Sequence, residues 1–167
     1  MMVGAQSALA PTRASVPALA PDLPMMEECE RQLLEEERER QLLEDLDSEV
    51  WWARRNSLDS LAQDPELVQK HQAKVLEKFD DAVVRVRYAA IEAIAAVPKL
   101  VEEHEAKILE KLKDRDRTLR VAALTALAEA PNTKHMANVI EKLDDFDPDV
   151  FETAFNIIRK ARWRRSL

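Results

Sequence analysis

The chain has 167 residues, of which 34% are charged, 46% are hydrophobic and only 5% are aromatic, and its formal net charge is −7. This length suits one domain of ordinary size. The abundance of Ala, Leu, Glu, Lys and Arg predicts an all-α fold, because these residues lose little conformational entropy in a helix. The single glycine, Gly4, argues against glycine-rich phosphate-binding loops, and the net negative charge argues against nucleic acid as a partner.

Cysteine content and hydropathy exclude two further classes of protein. The single cysteine, Cys29, rules out an internal disulfide and most cysteine-based metal sites. No apolar run approaches the ~20 residues that a membrane-spanning helix needs. We therefore expect no transmembrane segment, and peripheral attachment to a membrane complex remains open.

Residues 1–24 are predicted to form an extended, low-complexity N-terminal arm. The first 21 residues contain six alanines, three prolines, two serines and no acidic residue. Such a segment lacks the large apolar residues that a packed core requires. It also has the acid-poor, Ala- and Ser-containing composition of a plastid transit segment. Two interpretations stay open, a targeting remnant and an extended segment that binds another protein.

Residues 25–37 are predicted to form an acidic helix. Residues 27–49 contain eleven acidic residues and three arginines, a net charge of −8, and the sequence RQLLE occurs at 31–35 and again at 40–44. Nine residues turn a helix through about 900°, so Leu33 and Leu42 would face opposite sides of one straight helix. Either the chain breaks near Glu37, or one long helix packs the repeats with one leucine pair and a partner with the other. Leu33 and Leu34 are therefore candidate partner-binding residues.

Residues 38–161 contain an internal repeat. Segments that begin at Val75, Ile108 and Val139 align at offsets of 33 and 31 residues, and a degenerate copy begins at Leu42. Each unit carries two apolar patterns with helical spacing. One helical hairpin cannot bury both apolar stripes alone, whereas stacked hairpins can. We predict four hairpins, at residues 38–64, 65–97, 98–130 and 131–161.

Aspartates mark the predicted start of the second helix in three units. Asp47, Asp116 and Asp147 each lie three residues before an apolar position. A carboxylate in this place accepts hydrogen bonds from the unpaired amides of the first helical turn. We predict that these three aspartates cap the second helices.

The repeat pattern resembles that of HEAT-like repeats. The motif D-x-x-[VL]-R-x-x-A-x-x-A-[LI] is complete at Asp116, Leu119, Arg120, Ala123, Ala126 and Leu127. The 33-residue form with a histidine in the first helix is similar to tandem arrays common in unicellular algae. The resemblance implies a short right-handed α-solenoid that binds proteins. Family members usually carry arginine at the positions of Arg87 and Arg120, and this chain is expected to have Trp51 and Phe151 there in its outer units. The resemblance thus implies an Asp–Arg ladder interrupted at both ends.

No catalytic, cofactor-binding or metal site is predicted. His71, His104 and His135 occupy one repeat position. Successive helices in a stack lie ~8–10 Å apart, whereas zinc ligands converge to ~2 Å from one ion, so a structural row is expected. The acidic run at 144–149 lacks the glycine and the glutamate of a calcium loop. No serine or cysteine belongs to a recognisable nucleophile motif.

Residues 162–167 are predicted to form a basic C-terminal tail. The last eleven residues carry five basic side chains and no acidic one, a net charge of +5. Arginine and tryptophan are enriched at binding hot spots, and arginines at a helix C-terminus also complement the helix dipole, so both roles stay open. The candidate partner-binding residues here are Arg159, Arg162, Trp163, Arg164 and Arg165, and Trp51 and Trp52 are further candidates in the first unit.

These patterns predict a non-catalytic scaffolding subunit whose partners are other protein subunits of a large complex. The leading hypothesis is an accessory subunit of a plastid photosystem-type complex, because the repeats resemble algal arrays. One alternative is a soluble cytosolic adaptor or regulatory HEAT-repeat subunit. Another comes from the resemblance, since some HEAT-like repeat proteins are subunits of lyases that attach bilins.

Overall fold

A computed structural model of the chain describes the backbone of residues 23–130 and 135–164, and the side chains of residues 25–130 and 135–161. The predicted N-terminal arm lies outside the described residues, apart from the backbone of its last two positions. The chain divides into two compact units, residues 1–36 and residues 37–167.

Ten α-helices are present in the described residues, and no strand is found there, which confirms the predicted all-α class. The helices are α1 Leu23–Leu46, α2 Trp51–Leu61, α3 Pro65–Lys70, α4 Gln72–Glu77, α5 Val84–Ala95, α6 Pro98–Glu103, α7 Glu105–Lys111, α8 Arg117–Glu129, α9 Met136–Glu141 and α10 Pro148–Arg164. Short 3-10 turns occupy Lys78–Asp80 and Lys142–Asp144.

Helix α1 is continuous, so the chain does not break near Glu37. Leu46 is fully buried, and Leu42 packs against the core. Leu33 and Leu34 are exposed. Of the two sequence-based alternatives, the structure has the continuous helix, in which Leu42 contacts the core and Leu33 and Leu34 are exposed.

In the two middle units the first arm of the predicted hairpin is itself two short helices. Each arm begins at a proline, Pro65 or Pro98, whose fixed φ suits the first helical turn. The helix is interrupted at His71 and His104, where ψ is 20° instead of the roughly −42° of an α-helix. These units therefore contain three helices, where the sequence predicted two.

The second helices α2, α5, α8 and α10 pack on one another in succession. Buried alanines on α5 and α8, among them Ala90, Ala93, Ala123 and Ala126, let neighbouring backbones approach closely. A continuous apolar core runs from Leu46 to Ala154. Stacking of equivalent helices around one core confirms the predicted solenoid.

Two of the three predicted aspartate caps are confirmed. The side chain of Asp116 accepts a hydrogen bond from the amide of Thr118 at 2.8 Å, at the start of α8. The side chain of Asp147 accepts one from the amide of Asp149 at 3.0 Å, in the first turn of α10.

The predicted cap at Asp47 is wrong. Val50 stands at the N-cap position of α2, and no side chain caps that helix. Asp47 instead accepts hydrogen bonds from Lys74 at 2.5 Å and from Lys78 at 3.3 Å in the next unit. Two lysine ammonium groups lie within hydrogen-bonding distance of this carboxylate, and they take the place of the backbone amides as its partners. The hydrogen bond from Lys74 contributes most to lowering the pKa of Asp47.

Candidate protein-binding surface

An arginine ladder joins consecutive units of the repeat. Its rungs are Arg54–Asp81, Arg87–Asp114 and Arg120–Asp145, with shortest N–O distances of 2.8, 4.0 and 2.9 Å. Each arginine also donates to carbonyl oxygens in the loop before its own helix, as Arg54 Nη1 does to Ser48 O at 2.8 Å. Every rung therefore ties one inter-helix loop to the loop of the following unit.

The ladder corrects one sequence-based expectation. Trp51 was expected at the arginine position of the first unit, but Arg54 fills it and the first rung is complete. Arg54 precedes Arg87 by 33 residues, so the two occupy the same position of the repeat. The expectation for Trp51 came from aligning Asp47 with Asp116, and that alignment is out of register. In the last unit the offset of 31 residues places Phe151 at this position, so the ladder ends there as expected.

Two of the ladder carboxylates, Asp81 and Asp145, have lowered pKa values although they are partly buried. Burial is the largest influence on Asp81 and raises its pKa, but hydrogen bonds from Arg54 and from the amide of Val83 outweigh it, so the pKa is lowered. The pKa of Asp145 is lowered in the same way, by the amide of Asp147 and by Arg120 against the effect of burial. These partly buried ion pairs join neighbouring units of the repeat.

The three histidines form a second ladder. Each ring lies against a polar side chain of the preceding unit, and the pairs are Glu39–His71 at 2.5 Å, Gln72–His104 at 2.7 Å and Glu105–His135 at 3.4 Å. The partners Glu39, Gln72 and Glu105 are themselves spaced by 33 residues. His71 and His104 thus each hydrogen-bond a side chain one unit away, whereas His135 donates to Leu127 O at 2.8 Å and only lies near Glu105.

The outward side of α2 and α5 carries a cluster of aromatic and basic side chains. We call it the tryptophan surface, made of Trp51, Trp52, Arg55, Arg85 and Tyr88. Trp52 is 56% exposed. The guanidinium of Arg85 lies 5.6 Å from the ring centroid of Trp51, a cation–π contact between neighbouring helices.

Short-range polar contacts hold two members of the tryptophan surface in place. The hydroxyl of Tyr88 donates to Glu92 at 2.6 Å, and this hydrogen bond is the main reason that the pKa of Tyr88 rises to about 12. Arg55 pairs with Asp59 at 2.9 Å one turn along α2. These contacts restrict the side chains of Tyr88 and Arg55, and such restriction lowers the entropic cost of binding.

The same face has a different composition further along the solenoid. On α8 the corresponding positions are Thr118, Val121 and Thr125, and Arg117 is paired with Asp149 at 2.8 Å. On this face, aromatic and basic residues are therefore concentrated on α2 and α5.

The structure distributes the sequence-predicted site residues over three places. Trp51 and Trp52 lie on the tryptophan surface, Leu33 and Leu34 are exposed on α1, and Arg159 is exposed near the end of α10. The side chains of the remaining candidates lie outside the described residues, and these are Arg162, Trp163, Arg164 and Arg165.

The sequence analysis missed Arg55, Arg85 and Tyr88. A signal for them was present, because Arg85 follows Trp52 by 33 residues and Tyr88 follows Arg55 by the same offset. Equivalent repeat positions share one face of a solenoid, so the repeat alignment alone predicts that these residues lie on the same face as the tryptophans.

The described residues contain neither a membrane-spanning helix nor a cluster of metal ligands. In the ranges 23–130 and 135–164, no helix is both long and apolar enough to cross a membrane. Among the side chains of residues 25–130 and 135–161 there is also no group of three or more His, Cys, Asp or Glu placed to hold a metal ion.

Comparison with known proteins identifies the architecture. No protein-family model matches the chain, and no characterised protein matches it in sequence. Among solved structures it is similar to a designed armadillo repeat protein, with a TM-score of 0.54 and 20% identity. The match covers 68% of this chain and 60% of that one. The three-helix middle units, the two ladders and this likeness together make the chain a helical repeat solenoid, related in architecture to HEAT and armadillo repeats.

Proposed function

We propose that the chain is a non-catalytic scaffold that binds a partner protein through the tryptophan surface. The observation that carries the proposal is the cluster of two exposed tryptophans, two exposed arginines and a partly buried tyrosine on adjacent packed helices. Trp, Tyr and Arg are the residue types that dominate binding energy at protein interfaces. The ladders supply a rigid support, which such a surface needs to bind without reorganising.

A site-specific photo-crosslinker tests this proposal. One version of the chain carries the crosslinker at position 52 and a control version carries it at position 102, an exposed site on α6. We expect a defined partner to be captured from position 52 only, and Trp52→Ala to weaken its binding by about tenfold or more, the loss typical of a hot-spot residue. Equal capture at both positions, or unchanged affinity of Trp52→Ala, would contradict the proposal.

The finer hypothesis is an accessory subunit of a plastid photosystem-type complex. It is supported by the resemblance of the repeats to algal arrays and by the composition of residues 1–21. A stoichiometric subunit would co-purify with such a complex at high salt and fractionate with plastids, whereas a cytosolic adaptor would not. Binding of a bilin in a titration would instead favour the lyase-type role.

A further inference from the structure

Arg85 brings an unpaired positive charge to the tryptophan surface. Its side chain is exposed, and its guanidinium lies 5.6 Å from the ring centroid of Trp51. Among the side chains that the structure describes, no carboxylate pairs with Arg85, whereas Arg55 on the neighbouring helix pairs with Asp59. A cation–π contact does not use the N–H donors of a guanidinium. Arg85 can therefore still donate two hydrogen bonds to one carboxylate of a partner.

The two helices that carry the tryptophan surface begin without a side-chain cap. Val50 and Val83 stand at the N-cap positions of α2 and α5, and no side chain caps either helix. Asp116 and Asp147, by contrast, cap α8 and α10. The first-turn amides of a helix carry a partial positive charge, and a capping carboxylate offsets it. The starts of α2 and α5 keep that positive charge, beside the tryptophans and Arg85.

The carboxylates close to these helix starts are mostly paired already. Those within three residues of the two N-cap valines are Asp47, Glu49, Asp80 and Asp81. Three of them pair with a lysine or an arginine of the chain, and Glu49 has no such partner among the described side chains. Its single negative charge stands against Arg85 and roughly half a unit of positive charge at each of the two helix N-termini. The sum at this end of the surface is positive.

The carboxylates on the same face lie at the other end of the surface. Asp59 and Glu92 follow Trp52 and Arg85 by seven residues, which is about two helical turns. The surface is therefore polarised along its helices, with positive charge at the tryptophans and negative charge two turns further on.

Apolar side chains lie directly beside the positive end. Val50, Trp51 and Trp52 are consecutive at the start of α2 and are 43%, 36% and 56% exposed. Val84 is partly exposed at the repeat position of Trp51 on α5. The indole ring offers a large and rigid contact area to an apolar side chain. A segment that suits this end combines an apolar side chain with a carboxylate.

We propose that the tryptophan surface binds a segment of a partner protein in which an aspartate or glutamate lies next to an apolar side chain. Arg85 binds the carboxylate, and Trp52 packs against the apolar side chain. A basic segment is disfavoured, because it would bring like charges together at Arg85. This inference rests on the function proposed above and names the class of partner for the same surface.

Selection from a library of random peptides displayed on phage tests the inference. The immobilised proteins are the full chain and its Arg85→Glu, Arg115→Glu and Trp52→Ala variants. We expect the wild type to enrich peptides with an acidic residue beside an apolar one, and Arg85→Glu to enrich lysine or arginine there instead. Arg115→Glu is the matched control, because Arg115 is exposed, has no ion pair among the described side chains and lies outside the tryptophan surface. It should select the same peptides as the wild type.

A peptide enriched by the wild type then gives a quantitative test by fluorescence anisotropy. Its affinity should fall about tenfold or more for Arg85→Glu and less than about twofold for Arg115→Glu. Changing the acidic residue of the peptide to lysine should restore binding to Arg85→Glu. Binding to the wild type should weaken as salt screens the charges. All variants should keep the wild-type circular dichroism, since the altered side chains are exposed.

The outcomes separate this inference from the proposed function. Peptides that need Trp52 but carry no excess of acidic residues overturn the inference and leave the tryptophan surface as a binding site. So do peptides that bind Arg85→Glu as tightly as the wild type. If no selected peptide needs Trp52, the proposed function is contradicted, and the inference with it.

Discussion

The partly buried Arg54 shows how a single side chain joins two units of the repeat. It donates to both carboxylate oxygens of Asp81, at 2.8 and 3.0 Å, and to two carbonyl oxygens of its own loop. Its neighbour Arg55 makes one exposed ion pair within the same helix. These adjacent arginines therefore differ in burial and in the number of contacts, not in chemistry.

Replacing Arg54 should destabilise the protein far more than replacing Arg55. Arg54→Ala leaves the buried Asp81 without its cation, and we expect a loss of about 3 kcal/mol in the free energy of unfolding. Arg55→Ala removes an exposed pair and should cost under about 1 kcal/mol. Urea denaturation of both variants measures the difference. Similar losses would show that the ladder is not a stabilising element.

The ladder should also make stability depend on pH in the acidic range. The pKa of Asp81 is lowered in the folded protein, so its contribution is complete above the usual carboxyl pKa of about 4 and is lost as the pH falls through the folded pKa. Asp81→Asn should therefore be less stable than the wild type at neutral pH, and this difference should shrink towards about pH 2.

Asp59→Asn provides the matched control for this pH dependence, because Asp59 makes the exposed pair with Arg55. Its unfolding free energy should stay close to that of the wild type across the same range, since an exposed pair contributes little. Denaturation curves at several pH values test both variants. A difference between Asp81→Asn and the wild type that does not change with pH would contradict the assignment.

At the scale of elements, α8 is the central helix of the stack and is packed between α5 and α10. Leu124 is fully buried, whereas the next residue, Thr125, is exposed. We expect Leu124→Ala to cost on the order of 2–5 kcal/mol, the loss typical of truncating a large core side chain. Thr125→Ala should change stability by under about 0.5 kcal/mol. Comparable losses would mean that the register of α8 is wrong.

At the scale of the whole molecule, every buried core residue in the described part of the chain lies within residues 37–167. Its most N-terminal buried member is Leu46 and its most C-terminal is Ala154. A chain that begins at Glu37 keeps every residue of this core, so it should unfold cooperatively with a midpoint close to that of the full chain. Thermal denaturation followed by circular dichroism measures this. A broad transition, or loss of helicity beyond the deleted turns, would show that residues 1–36 are needed for folding.

The sequence by itself determined the helical class, the repeat and the starts of many helices. These features are local: the 3.6-residue spacing of apolar side chains, the fixed φ of Pro65, Pro98 and Pro148, and the short reach of Asp116 to a nearby amide each act within a few residues.

Only the tertiary structure decided which residues meet and which are left uncovered. Arg54 and Asp81 are 27 residues apart, and their contact depends on how two units stack. Phe155 and Leu124 hold the same place in the repeat, yet one is half exposed and the other is buried. The physical reason is that the burial of a side chain depends on the contact between two neighbouring units, whereas the periodicity of apolar residues is a property of one helix.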